Sequence, residues 1–145
     1  MQKIIKGMSV ILERDLKQGQ YSWERWRKAA LEACDNGTLP LQIDSNILHI
    51  SRSDEALAVR YSLHILECKV PGASVEVRVS PWGAIKILDG PASDPHNLTP
   101  PDVIELDPAV WLRLASGITN WQQEEQAGYM DAIGERDDLS DVLPL

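Results

Sequence analysis

The chain has 145 residues, 43% hydrophobic and 25% charged, with a formal net charge of −8, which suits one domain with a sizeable core. The acid excess is confined to the C-terminal third, where residues 101–145 hold 10 acidic side chains against only Arg113 and Arg136, so the surface repels phosphate backbones and anionic headgroups and argues against nucleic-acid binding and stable membrane association. No stretch approaches the ~18 apolar residues of a membrane span, and MQKIIKGMSVIL runs straight into Glu13, Arg14 and Asp15 without a cleavage pattern, so a cytoplasmic protein is expected.

In chain order, Ile4, Met8, Ile11 and Leu12 fall on one helical face, with Gly7 as a weak point and Gly19 as a stop, which predicts a first docking helix. Ser22 then stands where a cap belongs for a helix from Trp23 to about Cys34, with the stripe Trp23, Trp26, Ala30 and Ala33 and an end at Asn36-Gly37. Tryptophans at that spacing read as core. Thr38 to Ser51 alternates too irregularly to choose strand over loop and is expected to be a linker that packs. Ser53 is the expected cap of a helix from Asp54 to about Lys69, with Asp54 and Glu55 in its favourable first turn and Pro71-Gly72 ending it. Its buried stripe is Ala56, Val59, Leu63, Leu66 and Val70.

The most regular pattern follows, in SVEVRVSPWGAIKIL, residues 74–88. Val75, Val77 and Val79 alternate with polar residues, so one strand face is apolar and β-branched while the other is charged, and a second strand follows the turn at Pro81. The dry face needs a cover, and the flanking helices are the candidates. Five of the nine prolines lie from Pro91 to Pro108, which predicts a long ordered loop that includes His96. Val103 to Leu106 reads as a short strand, Asp107 as the cap of a helix stopped by Gly117, and Thr119 with Gln122 as a capping box for a helix through Ala127. A strand from Tyr129 to Glu135 and a final short helix from about Asp138 complete the expected order.

Motifs for chemistry are sparse. His49, His64 and His96 are scattered, with no HExxH, GxSxG, Walker loop or GxGxxG, so metal or triad catalysis has no support. His64 reads as a surface or satisfied core residue and His96 as a loop hydrogen-bonder. Cys34 and Cys68 lack CxxC spacing, so neither a disulfide framework nor a zinc site is expected. Glu124-Glu125 and Asp137-Asp138 fit solvated faces, because adjacent residues point apart. No enzyme, metal or cofactor is expected.

The runs VPGASVEVRVSPWGAIKILDGP, TPPDVIELDPAVWLRLASG, ITNWQQEEQAG and GERDDLSDVLPL together resemble the short bacterial sterol-carrier-protein orthologue family, over about Asp54 to Leu145. The resemblance implies an α+β fold with about five strands, mostly antiparallel, covered by helices. It divides the single domain 1–145 into an N-terminal helical extension, 1–37, and a sterol-carrier-like core, 54–145. The chain departs from the pattern at Asp94-Pro95-His96-Asn97-Leu98, where relatives carry a shorter His-Thr-Arg-Gly-type turn.

The expected function is then a noncatalytic module holding a lipid or other apolar small molecule between sheet and helices. Its expected lining is Val77, Val79, Ile85, Ile87, Trp111, Leu114 and Trp121. The alternative is a ligand-free interaction domain, serving oligomerisation (a homodimer among the arrangements) or accompanying an enzyme, since fold does not fix function. A fragment of an isomerase or transferase that needs a partner chain is the third reading.

Overall fold

The computed structural model describes residues 9–89, 102–133 and 138–145. Ile4, Met8, the proline-rich loop with His96, and the end of the expected last strand at Glu135 lie outside the described residues. The elements are α1 (Leu16–Asp35), α2 (Arg52–Lys69), β1 (Pro71–Val79), β2 (Gly83–Ile87), β3 (Asp102–Leu106), α3 (Pro108–Ser116), α4 (Trp121–Gln126) and β4 (Asp131–Ile133).

The sheet has the order β2-β1-β3-β4. β1 pairs antiparallel with β2 and parallel with β3, and β3 pairs antiparallel with β4. The α+β class holds, but the expected five-stranded, mostly antiparallel sheet does not: among the described residues there are four strands and the central pair is parallel. Connectivity explains this. β2 ends, and β3 begins, opposite Val75 near the start of β1, so β3 runs in the direction of β1.

Val75, Val77 and Val79 are fully buried, as the alternation requires, and they share one core with Val59, Leu63 and Leu66 of α2 and with Ile85 and Ile87 of β2. On the outer face Arg78 donates to Glu76 at 2.6 Å, and this bond raises the arginine pKa further above its ordinary range. Trp82, in the hairpin turn, donates its indole N–H to Glu55 of α2 at 2.8 Å, while Arg60 donates to the Trp82 carbonyl at 2.9 Å. The hairpin is therefore clasped to the helix that covers it.

The N-terminal part differs from the sequence reading. Residues 9–12 are not helical, Ile11 is buried and Leu12 exposed, and α1 starts at Leu16, so Gly19 and Ser22 sit inside the helix. Gly19 is there because of space: a Cβ would lie 2.8 Å from Ile11 Cδ1 and 3.0 Å from Tyr61 Cβ of α2. The stop reading failed because glycine also marks close helix approach, and here that use outweighs its helix-propensity cost of about 1 kcal/mol. Ser22 is buried and its hydroxyl donates to Asp54 at 3.4 Å, which ties α1 to the start of α2. Gly19→Val should wedge the two helices apart and destabilise the fold by about 1–3 kcal/mol, read from urea denaturation.

The α2 cap is Ser51, not Ser53: its side chain accepts from Asp54 N at 3.1 Å. Residues 38–51 do pack as a linker, with Ile43 and Ile50 buried and Ser45 Oγ accepting from the Trp26 indole at 3.2 Å. The expected last helix is instead a turn at residues 140–142.

Candidate functional site

α3 and α4 border a cleft closed on its other side by the C-terminal tail. Asp107 occupies the α3 N-cap but makes no side-chain cap bond, Pro108 supplies a preset φ at the first turn, and Gly117 ends the helix in a left-handed conformation at φ 83°. Residues Val110 to Ala115 are all buried, including Arg113. The Trp111 indole donates to Ser62 Oγ of α2 at 2.8 Å, so the largest buried side chain of α3 is also oriented.

Asn120 caps α4 with Gln123 as its reciprocal partner, displacing the expected Thr119–Gln122 box by one residue. The frame moves because Thr119 is used elsewhere: its hydroxyl donates to Glu124 Oε2 at 2.6 Å. Glu124, expected on a solvated face, is fully buried. Arg113 donates Nε and Nη2 to its two carboxylate oxygens at 2.7 and 2.8 Å, and Nη1 to the Ile43 carbonyl at 3.0 Å. The Tyr129 ring lies 5.6 Å from the guanidinium carbon. A lone arginine inside the apolar run VWLRLA was the available signal, since a buried guanidinium requires a buried carboxylate.

The C-terminal tail crosses this unit. Leu139 is buried, Leu145 N donates to the Ala115 carbonyl at 3.0 Å, and Lys69 Nζ donates to the Val142 carbonyl at 2.9 Å. Between tail and helices is a cleft of about 200 Å³, lined by Leu114, Gly117, Thr119, Asn120, Trp121 and Gln123 on one side and by Ser140, Leu143 and Pro144 on the other. Leu114 and Trp121, two of the residues read as lining, meet here. Val77, Val79, Ile85, Ile87 and Trp111 lie together in the packed core and line neither this cleft nor the two shallower ones beside β3 and α3.

A model of the family described as bacterial SCP ortholog matches residues 51–145. The chain belongs to that family. The match covers α2 through the tail and so includes every residue that lines the cleft, while α1 lies outside it. A search of curated proteins gives no match.

Other chemistry is thin around this family core. Among the described residues no group of three or more His, Cys, Asp or Glu side chains could hold a metal ion. Cys34 and Cys68 are both free thiols, and Cys68 Sγ lies 3.8 Å from His64 Nε2, one helical turn away. His64 Nδ1 is buried without a hydrogen-bond partner, so this histidine is neither a plain surface residue nor a satisfied core one. No helix among the described residues is long and apolar enough to cross a membrane.

Proposed function

We propose that the chain is a noncatalytic carrier-type domain that holds an apolar small molecule, or the apolar end of a lipid, between the α3–α4 connection and the C-terminal tail. The observation that carries this reading is the cleft itself: Leu114, Trp121, Leu143 and Pro144 form apolar walls, and Thr119, Asn120, Gln123 and Ser140 supply polar groups beside them. That mixture suits an amphiphile, in which burial supplies affinity at about 0.8 kcal/mol per methylene and a few polar contacts fix orientation. At about 200 Å³ the cleft is smaller than the usual drug-sized site of roughly 300–1,000 Å³, so a short or partly inserted chain fits better than a whole sterol. In this proposal Leu114 and Trp121 touch ligand. Val77, Val79, Ile85, Ile87 and Trp111 would form the rigid body beneath and contact ligand only if the core opened.

The ligand-free interaction reading rests on a different observation. Val77, Val79, Ile87 and Trp111 have no exposed surface, which is how a core closed by its own side chains looks. A panel of acyl chains, sterols and aromatic acids separates the two. For a carrier, one class changes tryptophan emission saturably and raises the melting temperature by mass action, and Trp121→Ala weakens both responses. For an interaction module no compound does so, while Trp111→Ala, a core truncation, costs about 3–5 kcal/mol under either reading. Failure of the whole panel would end the carrier reading.

A further inference from the structure

The two shallower clefts adjoin, sharing Asp107 and Tyr129, and form one open groove beside the β3–α3 turn. Their volumes are about 430 and 370 Å³. Leu41, Ile47 and Val110 line one part, Leu106 and Met130 the other. Ile47 and Tyr129 are 44% and 51% exposed, so the groove presents apolar surface to solvent.

Carboxylates outnumber cations among its described lining residues. Asp44 stands in the first part, Glu105 in the second, and Asp107 between them. Asp107 takes no part in capping α3, and Asp44 uses Oδ1 to accept from Ile47 N at 2.8 Å, which holds the exposed isoleucine beside the carboxylate. Arg113 is the single cation among the lining residues, and its charge is bound bidentately by Glu124. Glu105 lies opposite Arg78 across the β1–β3 pair and attracts it, so an incoming cation over the apolar floor meets chiefly Asp44 and Asp107, which repel an incoming anion.

We infer that this groove docks a basic, apolar segment of a partner protein, with two or more Lys or Arg side chains interspersed among aliphatic ones. Openness favours a segment over a small amine: small ligands need concave sites that bury some 70–90% of their surface, whereas an amphipathic peptide binds by one face. The same carboxylates exclude acidic peptides and anionic lipid. This inference does not depend on the apolar ligand site, which shares no lining residue with the groove.

The test is fluorescence anisotropy of the full chain with a labelled Leu/Lys amphipathic peptide and its Leu/Glu counterpart. The basic peptide should bind at least about tenfold more tightly than the acidic one, and Asp44→Asn with Asp107→Asn should weaken it by about tenfold. Ile47→Ser, which leaves charge unchanged, should weaken it by about fivefold, while Asp138→Asn with Asp141→Asn, an equal charge change on the tail, should weaken it by less than about twofold. Equal losses from the two double variants would mean general attraction to an acidic protein and would overturn the proposal. So would an Ile47→Ser variant that binds normally, or displacement of the peptide by spermidine at equal charge concentration. Sedimentation showing a dimer that Ile47→Ser dissolves would assign the groove to a second copy of the chain instead.

Discussion

Glu124→Ala is expected to destabilise the fold by about 3–5 kcal/mol, because it removes both carboxylate oxygens from the buried Arg113 guanidinium, which keeps its bond to the Ile43 carbonyl and its contact with the Tyr129 ring. Arg113→Met should cost a similar amount by stranding the carboxylate, which would keep only the Thr119 hydroxyl among its side-chain partners. The pair together, Arg113→Met with Glu124→Ala, should cost far less than the sum, since neither charge remains to be desolvated. Urea denaturation of the four proteins forms a double-mutant cycle. Additive costs would contradict the buried bidentate geometry.

Val77→Asp is the second large effect. Val77 has no exposed surface, and its neighbours across the sheet, Ile85 and Ile104, are buried too. A carboxylate there has no cation within the core face, and the substitution should cost several kcal/mol, enough to unfold a domain of ordinary stability. Glu76→Lys, one residue away on the outer face, is the matched control. It removes the bond to Arg78 and sets a lysine directly opposite Lys86, so it should cost about 1 kcal/mol at most. Similar melting temperatures for the two variants would sink the register of β1 and β2.

What was legible in the sequence followed the strength of local periodicity. The strict alternation from Val75 to Val79 carried both the strand and its buried face, and the Asp107 and Gly117 pair bounded α3 correctly. Features that depend on distant partners were not legible. Gly19 could be recognised as a packing glycine only with Ile11 and Tyr61 in place, and Glu124 as buried only once Arg113 faced it. The parallel pairing of β1 and β3 was hidden for the same reason, since alternation gives a strand its faces and not its neighbours. At the candidate site, Leu114 and Trp121, from the two consecutive helices read as covering the sheet, stand at the cleft. The tail as a wall was missed, because Leu143 and Pro144 carry no periodic signal in an irregular segment.

The close fit of α1 on α2 bears on modularity. Trp23, Trp26, Ala30 and Ile43 belong to the same core as the sheet, and Ile43 also accepts from Arg113, yet all precede the matched stretch. Residues 51–145 excised alone would bare one side of α2 and remove an acceptor from a buried cation. A relative that shares only the matched stretch must therefore bring its own substitute for α1, a second subunit or a different leading segment, before the common part can close.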